Sequence, residues 1–127
     1  MLNLFFSICH LGEILTDFFH LISVPVVRIT DTAGRYKIPD KSSAASTCGS
    51  KGMWLATREQ LEDARLKGLD VCSCGWLADG TAAYPILKPR DGCEPGAPAG
   101  LRTCSSTPVG AGWDAYCTET ECKCINN

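Results

Sequence analysis

Hydrophobic and polar positions change rhythm several times along the chain, and each change marks an element. Residues 1 to 23 are rich in apolar side chains, among them Phe5, Phe6, Ile8, Phe18, Phe19, Leu21 and Ile22. Glu13 and Asp17 interrupt the run and no Lys or Arg precedes Arg28. The basic start and unbroken centre of a secretory signal are therefore missing. A membrane span needs roughly 20 apolar residues with few charges, and this stretch fits that less well still. Two readings stay open: a degenerate signal peptide, or a gene-model artefact or upstream segment outside the fold. Val24 to Thr30 is β-branched and predicts a first strand. Asp31 to Gly34 reads as a turn, and Arg35 to Ile38 as a second short strand. Pro39-Asp40 ends the extended run, with Asp40 placed to cap a helix. Ala44, Ala45 and Cys48 share one face of that helix, and Gly49 and Gly52 close it.

Trp54 to Ala56 is a brief extended piece. Thr57 and Gln60 have the spacing of a capping box, in which each side chain serves the other's backbone N–H. In the helix that follows, Leu61, Ala64 and Leu66 form the inner stripe. Glu59, Glu62, Asp63, Arg65 and Lys67 form a solvated outer stripe, and Gly68 supplies the stop. Gly75 allows close backbone approach beside Trp76, whose large apolar body suits the floor of a core once its indole N–H finds a partner. Asp79-Gly80 is a turn dipeptide. Ala82 to Leu87 reads as a strand, which Pro85 confines to an edge or a bulge. Glu94 to Gly100 is a loop by composition, and Leu101 to Ser105 and Ala115 to Thr118 are closing strands. Two helices with several short antiparallel strands make an α+β domain.

Composition narrows the class. A length of 127 residues implies one domain. Nine cysteines are too many to stay reduced in a cytosolic protein without a metal. Their spacings contain two Cys-x-Cys steps and no Cys-x-x-Cys knuckle, and His10 and His20 both lie in the apolar N-terminal stretch. Zinc is the poorer reading, and an oxidising, extracellular setting the better one. The overall charge is −2, but Val24 to Cys117 carries 11 Lys/Arg against 10 Asp/Glu. A near-neutral module does not point to nucleic acid, which asks for a strongly basic face.

The ordered run Cys72, Gly75-Trp76-Leu77-Ala78-Asp79-Gly80, Tyr84-Pro85-Ile86, Gly92-Cys93 resembles the Link module, the hyaluronan-binding domain of matrix proteoglycans and their cell-surface receptors. The likeness extends through Gly34-Arg35-Tyr36, Cys48, Leu55-Ala56-Thr57, Gln60-Leu61, Gly100-Leu101-Arg102-Thr103 and Trp113-Asp114-Ala115-Tyr116-Cys117. The resemblance implies a Link domain over 24–118, with a C-type-lectin-like α+β fold of two helices and two small antiparallel sheets. It also implies the bridges Cys48–Cys117 and Cys72–Cys93. Cys74 and Cys104 replace residues that are usually not cysteine in the family, and their joint appearance suggests a third bridge. Cys9, Cys122 and Cys124 are left without assigned partners. Cys122-Lys123-Cys124 resembles the Cys-x-Cys step of an EGF-like repeat, which makes residues 119–127 the start of a cysteine-rich tail. The stabilin scavenger receptors similarly set such repeats beside a Link module, so the chain has the look of a receptor fragment.

Hyaluronan carries one carboxylate per disaccharide. A non-catalytic site for it needs aromatic faces for the rings and cations for the carboxylates. The family resemblance implies such roles for Arg35, Tyr36 and Tyr84, with Lys37 adjacent and Lys88 and Arg90 widening the basic edge. Arg35 and Tyr84 are expected to stand exposed on the same edge. Three positions depart from the family's pattern, where an aromatic, a tyrosine and a basic residue give way to Pro95, Cys104 and Thr107. Weaker hyaluronan affinity than a strong family member follows. One alternative is an adhesion module that binds matrix proteins and has lost the sugar. Another is a Ca²⁺-dependent C-type lectin, which Glu94-Pro95-Gly96 and Trp113-Asp114 echo without supplying a cluster of acids. Histidine is absent from Val24 to Cys117, and no nucleophile–base pair or activated carboxylate pair is visible. The expectation is a binding module and not an enzyme, without metal or cofactor and without a membrane span.

Overall fold

The computed structural model describes residues 25–93, 98–105 and 112–119. The readings for residues 1–23, Glu94-Pro95-Gly96, Thr107, Cys122 and Cys124 lie outside them. Six strands and two helices follow one another as β1 (Val26–Ile29), α1 (Lys41–Gly49), β2 (Trp54–Leu55), α2 (Arg58–Leu66), β3 (Gly75–Trp76), β4 (Ala82–Ile86), β5 (Gly100–Cys104) and β6 (Asp114–Thr118). The architecture is the expected α+β one. The strands, however, form a single six-stranded sheet in the order β1-β6-β3-β4-β5, with β2 also paired to β6. It is not two separate antiparallel sheets, because β3 runs parallel to β6 through Gly75–Asp114 and Trp76–Ala115 and joins the two halves.

β6 is the centre of this sheet. It pairs with β1 from Val26–Thr118 to Ile29–Ala115, with β2 at Leu55–Cys117, and with β3. Its five residues are all buried. The period-2 alternation of a strand then divides the core into layers. Tyr116 packs on one face with Val26, Ala56, Leu61, Leu77 and Ala83, under α2. Ala115 and Cys117 pack on the other with Ile38, Ala44 and Cys48, under α1. A third cluster holds Tyr84, Ile86 and Cys93, with Cys72, Cys74 and Cys104 against it.

Local chemistry accounts for both helices. Asp40 caps α1 by accepting the Ser43 N–H at 2.8 Å. Thr57 and Gln60 complete the capping box of α2 at 3.1 and 2.9 Å. Two inner-stripe assignments fail for one reason: each residue advances about 100° round a helix. Ala45, one step from buried Ala44, is exposed. Leu66, five steps from Leu61, points away from the core and is 66 % exposed. Arg65, four steps on, instead faces inward, where it grips Glu62 at 2.7 Å and reaches the Ile86 carbonyl.

Arg35 to Ile38 is not a strand. Tyr36 has φ 59°, a left-handed conformation incompatible with an extended ladder, and only Ile38 makes a bridge, to Trp113. Pro85 sits in β4, between β3 and β5 and not at the sheet edge. β3 pairs only with Ala82 and Ala83, so no ladder bond is required of the missing N–H at Pro85. Trp76 is half-buried against the α1-side core, and its Nε1–H donates to the Ile38 carbonyl at 2.8 Å.

Three disulfides tie the sheet: Cys48–Cys117 joins α1 to β6, Cys72–Cys93 spans the loop around β4, and Cys74–Cys104 joins the segment before β3 to β5.

Candidate functional site

Ser73 lies between two half-cystines and is almost wholly buried. Cys72 and Cys74 pack against the Tyr84 cluster. The Ser73 hydroxyl faces the turn after β1, and three side chains meet on it. Arg28 Nη1 donates to Oγ at 3.1 Å, Arg35 Nη2 donates to the same atom, and Tyr36 Oη lies 3.1 Å away. Arg35 Nη2 also donates to Tyr36 Oη at 2.8 Å, with its guanidinium carbon 4.8 Å above the tyrosine ring. The Ser73 carbonyl accepts from Tyr116 Oη at 2.6 Å. Burial holds the Tyr116 phenol well above its usual range, so it stays a donor at any physiological pH.

Tyr36 is held in its left-handed turn by hydrogen bonds to both of its own backbone groups. Its N–H donates to Asp114 Oδ1 at 2.8 Å, and its carbonyl accepts from Gly112 N–H at 2.8 Å. A Cβ at Gly112 would lie 1.8 Å from the Ile38 oxygen, so only glycine lets the two segments approach. Trp113 meets the Tyr36 ring edge-on, with centroids 6.1 Å apart. Asp114 is fully buried at the start of β6, and its second oxygen faces Arg28 Nε at 3.8 Å without a hydrogen bond.

The structure thus brings Arg35 and Tyr36 together and adds Arg28, Ser73 and Asp114. Arg28 carried no motif and was not anticipated. The only sequence signal for it is a lone cation on a β-branched strand; its place opposite Tyr116 comes from the sheet register. Lys37 is exposed beside Tyr36. Lys88 is exposed too, and its backbone N–H is held by Asp70. Arg90 does not widen a basic edge, because Asp70 neutralises it at 2.8 Å. Tyr84 corrects the expectation of an exposed ring. It is 8 % exposed, packed with Ile86 and Cys93. The ring of Tyr36, in turn, has one face under Arg35. The surface is richer in donors than in open aromatic faces. Among the described residues no group of His, Cys, Asp and Glu is placed to hold a metal, and no helix is long and apolar enough to cross a membrane.

The fold is thus a disulfide-tied α+β module in which a cation from β1 and one from the following turn meet on Ser73. Comparison with known proteins places it more closely. A family profile described as the extracellular link domain matches residues 26–118, and the chain belongs to that family. It is 39 % identical over 95 residues to human tumor necrosis factor-inducible gene 6 protein, covering 72 % of this chain and 32 % of that protein. It is 31 % identical over 122 residues to human stabilin-1 and 33 % to mouse stabilin-1, covering 93 % of this chain and 5 % of either. The chain therefore spans about a third of the first relative and about a twentieth of the stabilins.

Proposed function

We propose that this domain is an extracellular, non-catalytic module that binds hyaluronan or a related glycosaminoglycan through Arg35, Tyr36 and Arg28, with Lys37 and Lys88 at the rim. Family membership and the three disulfides support the class of ligand and the location. The observation that carries the residue assignment is the convergence of two guanidinium groups and a phenol on the buried Ser73 hydroxyl. Guanidinium groups held in place lose little further freedom when a carboxylate arrives, and the planar fork matches its two oxygens. Burial of Tyr84 and the cover over Tyr36 leave less ring face for stacking on sugar than a strongly aromatic site offers. Electrostatic and hydrogen-bond contacts therefore dominate. Adhesion to a matrix protein is the second reading, favoured by that same shortage of open aromatic surface.

The test is hyaluronan affinity at two salt concentrations for the wild type, Arg35→Ala and the distant control Lys67→Ala. Arg35→Ala should weaken binding about tenfold and flatten the salt dependence, because the lost contact is charge-assisted. The control should match the wild type, and chelation of divalent cations should change nothing. Equal binding by all three proteins would place the site elsewhere. Absence of binding to hyaluronan or any other glycosaminoglycan at low salt, with binding to a matrix protein, would establish the adhesion reading instead.

A further inference from the structure

Hydrogen-bond directions in the cluster can be worked out from valence alone. A serine hydroxyl has two lone pairs and one hydrogen. Arg28 and Arg35, which can only donate, occupy both lone pairs of Ser73 Oγ. The Ser73 hydrogen must then go to Tyr36 Oη, 3.1 Å away. Tyr36 Oη also accepts from Arg35, which fills its own two lone pairs and leaves its phenolic hydrogen unassigned. Arg35 spends the two hydrogens of Nη2 inside the cluster and keeps the rest of its fork, and Arg28 likewise keeps N–H groups beyond the one given to Ser73. Every group that this cluster can turn outward is a donor. Asp114, the carboxylate that contacts the cluster, is fully buried, engaged with the Tyr36 N–H, and 3.8 Å from Arg28 without a hydrogen bond. The two guanidinium nitrogens on this one oxygen stand, at most, two hydrogen-bond lengths apart, and Asp114 faces Arg28 as counter-charge.

We infer that Arg28 is a specificity-determining residue that, with Arg35, makes a two-cation, donor-only seat for a sulfated uronate-bearing glycosaminoglycan in preference to unsulfated hyaluronan. The inference rests on the glycosaminoglycan-binding reading above and names the ligand more closely. In hyaluronan, successive carboxylates are separated by a neutral sugar. One carboxylate can fill one guanidinium fork, while the other, whose only carboxylate contact is Asp114 at 3.8 Å without a hydrogen bond, keeps N–H groups without an anionic acceptor. A sulfate ester on the intervening sugar brings a second anion within the same short span. It also offers several terminal oxygens to donors that have no acceptor among them. Like charges held this close repel until such an anion arrives, which adds to the preference.

The experiment compares the whole chain's affinity for hyaluronan and chondroitin sulfate oligosaccharides of equal length, at two salt concentrations, for the wild type and Arg28→Gln. Glutamine keeps a donor near Ser73 and Asp114 and removes the charge. The wild type should bind the sulfated oligosaccharide at least about tenfold more tightly, with a steeper salt dependence, as an additional charge-assisted contact implies. Arg28→Gln should bring the two ligands to within about twofold of each other, chiefly by weakening the sulfated one. Equal affinities in the wild type, or an equal loss for both ligands in the variant, would overturn the inference while leaving hyaluronan binding intact. Failure of the wild type to bind either sugar would overturn the glycosaminoglycan reading itself. Wild-type selectivity and salt slopes need no variant, so the inference stays open to refutation if Arg28→Gln is too unstable to use.

Discussion

Tyr36 is the residue where local preference and tertiary structure pull in opposite directions. A non-glycine residue at φ 59° costs on the order of 1–2 kcal/mol. The buried carboxylate of Asp114 on its N–H, the Gly112 N–H on its carbonyl and the Ser73 hydroxyl on its phenol hold it there. Such a strained residue on a cation cluster fits a preorganised binding surface. Tyr84 shows the reverse, a residue suited to ligand contact that the fold takes for packing. Tyr84→Ala should cost about 3 kcal/mol through the cavity it leaves among Ile86, Cys93 and the neighbouring half-cystines. Urea denaturation measures this directly. A variant as stable as the wild type that lost only sugar binding would put the ring on the surface. Gly75 illustrates how finely the packing is set, since a Cβ there would lie 2.6 Å from the Tyr116 ring, whose hydroxyl is fixed on Ser73.

Among the elements, the segment Val71 to Trp76 does most to connect site and scaffold. One side of it carries Cys72 and Cys74 into the Tyr84 cluster, and the other presents Ser73 to the cations. Replacing Cys74 and Cys104 together by serine should therefore lower stability by about 3 kcal/mol, as removing a bridge of sequence separation 30 implies. It should also weaken glycosaminoglycan binding at a temperature where the variant remains folded. Unchanged affinity would show that Cys72–Cys93 alone positions Ser73. The loop after β4 depends on a different device. Asp70 accepts from Arg90, and its oxygens also take the backbone N–H groups of Leu87 and Lys88. The Arg90 side chain is the largest cause that keeps this carboxyl below its ordinary range, followed after a burial penalty by those N–H groups. A depressed folded-state pKa gives stability that is present above the unfolded value of about 3.9 and lost as pH falls through the folded one. Thermal melts from about pH 6 down to about pH 2 should show wild-type stability falling below about pH 4. Asp70→Asn should start lower and fall less; an identical acid profile would remove Asp70 from the account.

For the whole molecule, covalent ties matter because a domain of this size has a modest core. The bridges have sequence separations of 69, 21 and 30, and chain entropy assigns them about 3.4 to 4.4 kcal/mol each against the unfolded state. Even partly additive, that is comparable with the 5–15 kcal/mol by which domains are stable. Excess dithiol reductant should abolish the cooperative melt and the near-ultraviolet signal of the tryptophans at 37 °C. An unchanged melting temperature with all cysteines shown to be reduced would mean that the apolar core suffices.

The sequence by itself determined the elements whose signals are local. The β-branched run of β1, the Asp40 cap, the Thr57–Gln60 capping box and the Asp31 turn all satisfy their hydrogen bonds within a few residues, so spacing alone makes them legible. The ordered cysteines and the Gly-Trp-Leu run carried the family, and with it Arg35 and Tyr36. What only the tertiary structure decided is everything set by contacts between distant segments. The parallel pairing of β3 with β6 joins one sheet where two were expected. Asp114, 78 residues from Tyr36, bends a presumed strand into a left-handed turn. Arg28, 45 residues from Ser73, joins the Arg35–Tyr36 cluster, and Tyr84 packs in the core. Each of these depends on which side chains the sheet register brings together, and register is a property of the assembled sheet, because a shift of one residue exchanges its two faces.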